Sequence, residues 1–387
     1  MKIVNVCLHY EDKLGYQEYY LGKEWAACGH EVHFITSDRH FDFPDYNNTV
    51  KQIIGDKVVG TGIFHTDYGV TIHRLKGTNK YLTGRVWLKG LRKKLLDIKP
   101  DIVISHGIIS WHSIRLLFLH DLLKCRIVFD DHMTLPQIRR DFVTISAYRL
   151  FGRLFGPQFA RKADKIIGIS HTCIDVIKRY YGIKKGPLVM IPLGSDNKQF
   201  RPNLEMRNRR RQQLGAKEHD IVVTYTGKMY ETKNVHLILE ALNDLSVCRD
   251  KSIIIYLVGD VTSSYRPILA DAINRSIHKV VMVKGVPLDD LVSVYNASDI
   301  AVWPDHLTNS TVDASACGCP VICSEYMKER VSFNNGIAIR PGSLSHLKDA
   351  LALLINDEQL RATMGNNAVR YVEQEASWAT IAEKFIA

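Results

Sequence analysis

The sequence predicts an α/β protein built from two doubly wound domains. Its 387 residues, 46% of them hydrophobic, suffice for two domains at about 100 to 200 residues each. Short apolar segments rich in β-branched residues, such as residues 252–259, are typical of strands buried on both faces of a parallel sheet. These segments alternate with helical patterns in both halves, as they do in sheets with right-handed crossovers.

Five buried strands are predicted in the first half, each followed by a helical stretch. They are KIVNVCL from residue 2, HFITS from residue 33, DIVISH from residue 101, CRIVFDDH from residue 125 and KIIGIS from residue 165. After the last of them we expect a helix with Ser170 as its N-cap and Gly182 as its stop signal.

The same pattern restarts after residue 220. Strands are predicted at IVVTYTG from residue 221, SIIIYLVGD from 252, KVVMVKG from 279, DIAVWPD from 299 and PVICSE from 320. One intervening helix carries an apolar stripe formed by Val235, Ile238, Leu239 and Leu242.

A turn-rich segment separates the two halves. Residues 191–203 include Pro192 and Pro202, and we place the hinge there. This gives an N-terminal domain of residues 1–197 and a C-terminal domain of residues 198–370. Because ligands of such sheets bind at the carboxyl ends of the strands, we expect the active site between the domains.

The charge is uneven along the chain. Residues 1–200 carry 30 Lys and Arg against 19 Asp and Glu, whereas residues 201–387 carry 21 against 22. A basic excess confined to one half predicts an anionic surface or partner on that side.

Several features predict a cytoplasmic protein. The start lacks the long apolar segment of a signal peptide, and no apolar stretch approaches the ~20 residues needed to span a bilayer. The eight cysteines form no CxxC pair and no zinc-like spacing, which favours a reducing compartment and no metal site.

Two lysines follow the first strand of the second half. Lys228 and Lys233 come after Gly227, on the loop between a strand and a helix, where both can point into the cleft. Their cations suit the oxygens of a diphosphate group. The alternative for each is an ordinary solvated loop lysine.

Two carboxylates eight residues apart accompany a later strand. Asp305 lies at the strand exit and Asp313 on the following helix, which lets the first face a sugar and the second a ribose. Backbone N–H groups around Asn309, Ser310 and Thr311 lie at the helix start, where phosphate binds readily. The alternative is that both carboxylates cap the helix or are solvated.

Together these segments resemble the retaining family 4 glycosyltransferases, over nearly the whole chain. That family's two Glu before AxACGxPVI are similar to Asp305 and Asp313 before ASACGCPVI, with the family's GFG replaced by HLTNST. Its Gly-Arg/Lys…Lys-Gly element resembles residues 227–234, with Asn in place of the last glycine.

The resemblance extends to other parts of the site. VMVKGVPLDDL resembles the family's nucleobase turn, which implies that the base lies near Val286. The family's glycine-rich loop resembles the segment that contains Gly15, with Tyr16 in place of the second glycine. His132 matches the position at which the family keeps a histidine beside the transferred sugar.

This resemblance implies a GT-B fold, with two Rossmann-like domains facing an interdomain cleft and a helix at residues 371–387 that crosses back to the first domain. It implies transfer from a nucleoside-diphosphate sugar, UDP- or GDP-linked, to a glycan or lipid-linked acceptor in polysaccharide or lipopolysaccharide synthesis. Anomeric configuration would be retained, with no metal or other cofactor.

The resemblance also implies the residues of the site. The implied catalytic residues are His132, Lys228, Lys233 and Asp305. The implied donor-binding residues are Gly15, Tyr16, Gly227, Val286, Asn309, Ser310, Thr311 and Asp313.

Other functions fit part of this pattern. A sugar-nucleotide epimerase shares the architecture but not the ACGxPVI context, and a noncatalytic two-domain ligand-binding protein is supported by architecture alone. Neither half carries a GxGxxG fingerprint, which argues against a nucleotide dehydrogenase. No nucleic-acid partner is expected.

A basic segment predicts contact with a membrane. Residues 80–99 carry seven basic residues and one acidic residue. On a helix, four apolar side chains would form one stripe, namely Trp87, Leu88, Leu91 and Leu95. With a second basic aromatic stretch at residues 148–162, this predicts a peripheral enzyme on the inner face of the cytoplasmic membrane. The alternative is a surface helix whose stripe packs on its own sheet.

Overall fold

The computed structural model describes residues 1–43, 46–49, 51–80, 85–139, 141–244 and 251–387. Residues 81–84 of the predicted basic segment lie outside the described residues, as does Cys248. The chain divides into two compact units. The N-terminal unit contains residues 1–192 and 381–387, and the C-terminal unit contains residues 193–380. The boundary falls within the turn-rich segment 191–203.

The N-terminal unit is a sheet with flanking helices. Its strands are β1 (Lys2–Val6), β2 (Glu31–Ser37), β3 (Gly62–His65), β4 (Val70–Leu75), β5 (Gly77–Lys80), β6 (Arg85–Leu88), β7 (Ile102–His106), β8 (Arg126–Asp131), β9 (Lys165–Gly168) and β10 (Leu188–Met190). Its helices are α1 (Gln17–Ala27), α2 (Tyr46–Thr49), α3 (Lys51–Ile54), α4 (Leu91–Ile98), α5 (Trp111–Leu123), α6 (Phe142–Lys162) and α7 (His171–Arg179).

The main sheet of this unit has the strand order β10-β9-β8-β7-β1-β2-β4-β3, while β5 and β6 pair separately. All its neighbours are parallel except β3, which runs antiparallel to β4 at the edge. From β1 the chain adds strands toward one edge of the sheet, and from β7 it adds them toward the other edge, so the strand order reverses between β1 and β7. In doubly wound sheets this switch point is where ligands bind, outside the carboxyl ends of the strands.

The C-terminal unit is a second doubly wound sheet. Its strands are β11 (Ile221–Thr226), β12 (Ile253–Val258), β13 (Lys279–Val283), β14 (Ile300–Trp303), β15 (Val321–Ser324) and β16 (Gly336–Ile339). Its helices are α8 (Leu204–Leu214), α9 (His236–Asp244), α10 (Arg266–Asn274), α11 (Leu288–Ala297), α12 (Ser310–Ala316), α13 (Leu344–Asn356), α14 (Glu358–Tyr371) and the start of α15 (Trp378–Ile386).

This second sheet is wholly parallel, with the order β13-β12-β11-β14-β15-β16. Its switch point lies between β11 and β14. Every residue of β11 and β12 is buried, which explains their continuous apolar and β-branched sequences. From Ile381 onward α15 belongs to the N-terminal unit, where Trp25 Nε1 donates to the carbonyl of Ala382 at 2.8 Å.

The ten predicted strands all correspond to observed strands. The predicted apolar stripe is also confirmed, because its four side chains are fully buried, with Val235 immediately before α9 and the other three on it. Ser170 caps α7 as predicted, since its side chain accepts from the Cys173 N–H at 3.1 Å. The helix ends at Arg179, before Gly182, whose φ is +68°.

Residues 80–99 do not form one helix, so that part of the membrane prediction is wrong. The segment contains β6, a turn and α4, and Gly90 stands before α4 at a φ of +88°. Leu88, Leu91 and Leu95 are at most 1% exposed and pack inside the unit. Their stripe therefore serves the protein core, which is the alternative expected from the sequence. Among the helices in the described part of the chain, none has the length and apolar character needed to span a membrane.

Candidate functional site

A buried carboxylate lies at the switch-point edge of the N-terminal sheet. Asp130 is near the end of β8 and stands opposite His106 of the neighbouring strand β7. Asp130 is fully buried, and His106 Nδ1 donates to its Oδ2 at 2.9 Å. His132 Nε2 and Gln17 Nε2 donate to Oδ2 at 3.2 and 2.7 Å. The sequence-predicted His132 is thus held by a carboxylate that also binds a second imidazole.

This arrangement sets the protonation of His132. Partial desolvation lowers the pKa of the ring, but the hydrogen bond and charge of Asp130 outweigh it and raise the pKa to about 9. Burial raises the pKa of Asp130, and the two imidazoles overcome this and hold it well below its usual value. The histidine is therefore a cation at neutral pH, with 42% of its side-chain surface exposed.

The adjacent carboxylate shapes the loop that presents His132. Asp131 accepts from the N–H groups of Ile108 and Met133 at 3.0 and 2.8 Å. Burial raises its pKa to about 6, against these two hydrogen bonds. Asp131 therefore ties the end of β8 to the loop after β7, which fixes the backbone on both sides of the histidine.

Gly15 and Tyr16 lie at the same edge of this sheet. Gly15 adopts a φ of +64°, and Tyr16 follows it immediately before α1 with 44% of its surface exposed. The next residue is Gln17, which binds Asp130. The structure therefore brings the three predicted residues of this unit, Gly15, Tyr16 and His132, to one edge.

In the C-terminal unit, the two predicted lysines have different environments. Gly227, with a φ of +122°, follows β11 and leads to Lys228, which is exposed. Lys233 is only 8% exposed, and its Nζ donates to the carbonyl of Leu307 at 3.0 Å. Burial lowers the pKa of Lys233 to about 8, although the charge of Asp305 acts in the opposite direction.

Asp305 follows β14, the strand beside β11 at the switch point. Its Oδ2 accepts from Asn234 Nδ2 at 3.0 Å, and its Oδ1 accepts from the N–H of His306 at 2.6 Å. Asn234 has a φ of +51°, at a position where the resembling family has glycine. The structure thus joins the loop after β11 to the loop after β14 and brings Lys233 near Asp305.

Asp313 lies on α12, behind this loop. It is 9% exposed, and Ser195 Oγ donates to its Oδ1 at 2.6 Å. Burial raises the pKa of Asp313 to about 7, despite the Ser195 hydrogen bond and the nearby positive charge of Arg330. A carboxyl group in this state suits hydrogen bonding to hydroxyl groups, which it can both accept from and donate to.

The other predicted phosphate contacts are partly committed within the protein. Asn309 Nδ2 donates to the carbonyl of Gly194 at 2.9 Å. Thr311 is 1% exposed, and its hydroxyl donates to the Thr308 carbonyl at 3.2 Å and accepts from Arg330 Nη1. Their side chains therefore brace the start of α12, where the Ser310 N–H also donates to Thr308 Oγ1 at 3.4 Å.

Val286 lies at a distance from the lysine and carboxylate cluster. It follows β13, the edge strand, which is two strands away from β11. Its side chain is partly buried against a small apolar cluster that includes Tyr256 and Val258. The structure therefore leaves Val286 outside the hydrogen-bonded group formed by the other predicted residues.

Both units match known protein families. A family described as Glycosyltransferase Family 4 matches residues 18–199, and one described as Glycosyl transferases group 1 matches residues 206–371. The chain belongs to the family 4 glycosyltransferases, which have the GT-B fold. This glycosyltransferase therefore combines two Rossmann-like units and is a transferase enzyme.

Individual relatives are also named as glycosyltransferases. D-inositol 3-phosphate glycosyltransferase of Corynebacterium aurimucosum is 23% identical over 314 residues, which are 75% of this chain and 71% of the relative. The capsular polysaccharide biosynthesis glycosyltransferase CapM of Staphylococcus aureus is 24% identical, over 57% of this chain and 60% of its own length.

The fold of this glycosyltransferase is shared by a solved structure. Alr3699/HepE of Anabaena, crystallised in complex with UDP, superposes with a TM-score of 0.70 at 17% identity. The superposition covers 100% of this chain and 98% of the other.

Sequence reasoning missed several residues of this glycosyltransferase that hold the predicted ones in place. They are Gln17, His106, Asp130, Ser195 and Arg330. One signal was available, because two neighbouring strands of the predicted sheet end in polar residues, DIVISH and CRIVFDDH. Gln17 and Ser195 bind carboxylates 113 and 118 residues away, and Arg330 binds Thr311 19 residues away, so none of these three has a local signal.

One group in the described residues has the side chains that metal ions prefer. The ligand atoms of His106, Asp130 and His132 lie within 4.8 Å of one another. They already form a hydrogen-bonded set of two imidazole donors around one carboxylate. The expectation that no metal is required is a statement about activity, and it stays a prediction.

Proposed function

We propose that this glycosyltransferase moves a sugar, with retention of configuration, from a UDP- or GDP-linked donor to a glycan or lipid-linked acceptor of the cell surface. The family gives the reaction class. A UDP donor is supported by the UDP bound to the Anabaena protein of the same fold, and a polysaccharide product by the name of the Staphylococcus relative.

One observation supports the proposed donor site. At the switch point of the C-terminal sheet, a buried lysine, Lys233, lies beside the carboxylate of Asp305, and a second buried carboxyl group, Asp313, lies on the next helix. A nucleoside-diphosphate sugar has the matching parts, because its diphosphate requires cations and its ribose and sugar require hydrogen-bonding oxygens.

The proposed roles follow from these environments. Lys228 and Lys233 stabilise the negative charge that develops on the departing diphosphate. Asp313 holds the ribose hydroxyls, and Asp305 orients the sugar. In the N-terminal unit, His132 contacts the transferred sugar as a cation held by Asp130.

A front-face reaction requires only these groups. The bond between the anomeric carbon and the diphosphate oxygen breaks, and the acceptor oxygen bonds to the same face of that carbon. The departing phosphate oxygen takes the acceptor proton, so no protein nucleophile is needed. We propose that neither a metal ion nor another cofactor takes part, because Lys228 and Lys233 supply the positive charge that a metal would otherwise bring.

A donor screen tests this proposal. Calorimetry with UDP-, GDP- and ADP-sugars is expected to show binding of one nucleotide class, weakened in an Asp313→Asn variant. Acceptor added to that donor is expected to release free nucleoside diphosphate in the presence of EDTA. If no nucleotide sugar of these classes binds, the proposed function is wrong; if turnover needs a divalent ion, only the metal-independent part fails.

A further inference from the structure

The outer face of α6 is apolar and exposed. Phe142, Val143, Leu150 and Leu154 expose 85, 75, 58 and 58% of their surfaces. At 3.6 residues per turn, Val143, Leu150 and Leu154 fall on one side of the helix. The opposite side is also apolar and is buried in the unit, where Gly152, Gly156 and Phe159 lie.

A neighbouring helix adds to this surface. Phe118 and Leu122 of α5 are 75% and 46% exposed. Lys162 of α6 donates to the carbonyl of Leu117 at 2.9 Å, so the two helices are in contact. A helix whose apolar residues cover both faces is normally buried on both. Such exposed apolar groups on adjacent helices indicate a surface that is covered by a partner.

The charge of α6 identifies the class of partner. Residues 142–162 contain Arg149, Arg153, Arg161 and Lys162 and no acidic residue. Arg149 and Arg153 are exposed, and in the described part of the chain neither forms an ion pair. Both lie to one side of the apolar stripe, at helical positions near that of Phe142. Apolar residues flanked by unpaired arginines match a bilayer with anionic headgroups better than they match an apolar protein surface.

We propose that the outer face of α6, together with Phe118 and Leu122 of α5, docks on an anionic lipid bilayer. This surface takes the role that the sequence assigned to residues 80–99, whose apolar side chains are buried. The inference deepens the proposed function, since it supplies a place where a lipid-linked acceptor is presented. It does not depend on the identity of the donor.

Vesicle cosedimentation with the full chain tests the proposal. Vesicles of equimolar phosphatidylglycerol and phosphatidylcholine are expected to bind the protein, and vesicles of phosphatidylcholine alone are not. At about fivefold in affinity for each basic residue near an anionic surface, Arg149→Glu/Arg153→Glu is expected to weaken binding by roughly 30-fold or more. Leu150→Gln/Leu154→Gln is expected to abolish the binding that persists at high salt.

Two matched variants serve as controls. Arg92→Glu/Lys93→Glu removes the same charge from α4, and Ile63→Gln/Phe64→Gln removes exposed apolar groups from β3. Both are expected to bind vesicles like the wild type. Calorimetry with nucleoside diphosphate on all four variants reports whether the donor site is intact and is independent of lipid.

The outcomes are separable. The proposal is overturned if the wild type binds neither vesicle at low salt, or if the α4 variant loses binding while the α6 variants keep it. It is also overturned if light scattering shows a dimer that the α6 variants dissociate and no lipid binding is seen, since the face would then join two copies. If the wild type does not bind nucleoside diphosphate, the proposed donor is wrong and the conclusion about lipid binding is unaffected.

Discussion

The two units have the same reversal of strand order but place opposite charges at it. In the N-terminal unit the charged group is the carboxylate of Asp130, which is fully buried and bound by two imidazoles and an amide. In the C-terminal unit it is the ammonium of Lys233, whose one hydrogen-bond partner in the described residues is a neutral carbonyl.

This difference shows in the two pKa values. Asp130 is compensated by the protein, so its pKa is depressed and its charge is fixed before any ligand arrives. Lys233 is undercompensated, and burial lowers its pKa to about 8. A buried cation with few partners in the protein can be stabilised further by an anionic ligand. A carboxylate that already has its cationic partners instead holds a side chain in position.

The largest effect is expected at the undercompensated site. Lys233→Ala and Lys228→Ala are each expected to lower kcat by about 100-fold, because each removes a cation from the developing diphosphate charge. Steady-state kinetics measures this, with Lys348→Ala, on the surface beside Asp244, as the control. Near-normal turnover in both site variants would remove these lysines from the reaction.

The compensated site is expected to show a smaller loss and a shifted pH profile. Asp130→Asn is expected to lower kcat by roughly 10- to 100-fold, as loss of a positioning carboxylate does elsewhere. Wild-type activity should fall in two steps as pH rises, the first through about 8, where Lys233 loses its proton, and the second through about 9, the raised pKa of His132 beside Asp130. The second step belongs to His132. In the variant that fall should move toward the ordinary histidine range.

The same pair makes a prediction for stability. The folded-state pKa of His132 is raised, so its contribution is fully present below the unfolded value of about 6.5 and is lost as pH rises through about 9. Urea unfolding across this range measures it. Asp121→Asn, a change at an exposed carboxylate, is the control. An unchanged pH dependence in Asp130→Asn would refute the proposed pairing.

The carboxylates of the C-terminal unit are expected to separate by ligand. Asp313→Asn should weaken binding of free nucleoside diphosphate by about 10-fold, since it removes a charged hydrogen-bond acceptor from the ribose. The wild-type affinity should rise as pH increases through about 7, where Asp313 ionises, and the variant should lack this step. Asp305→Asn should alter steps that need the sugar and leave nucleotide affinity unchanged. Calorimetry at several pH values distinguishes these cases.

The smallest effect is expected from Ser195→Ala. It removes the 2.6 Å hydrogen bond to Asp313 and should weaken nucleotide binding by about fivefold. That bond lowers the pKa of Asp313, so its loss should move the pH step to a higher value. A step that stays at the wild-type pH would show that Ser195 does not act through Asp313.

Strand positions were predictable because strands such as β11 and β12 are buried along their whole length and appear in the sequence as unbroken apolar segments. β3 was not, since all four of its residues are exposed and its sequence, GIFH, has no distinctive pattern. The pattern of residues 80–99 wrongly predicts one helix, because helical spacing does not continue across Gly90, where the backbone turns.

Residues of the candidate site could be predicted only where they lie in recognisable motifs. Lys233, Asp305 and Asp313 lie in recognisable segments of the sequence. Their supporting partners do not, because Ser195 and Asp313 are 118 residues apart in the chain. The pairing of His106 with Asp130 depends on the register between two strands, which composition and spacing do not determine.

Two glycines on the inner side of α6 limit how this helix can vary among related sequences. A Cβ at Gly152 or Gly156 would come within 2.7 or 2.6 Å of backbone atoms of Tyr181. Either substitution would push the whole helix outward. In a deep mutational scan, these two positions should accept one residue type under selection for folding alone. The outer positions, such as Leu150 and Leu154, should vary freely until the selection requires work at a membrane.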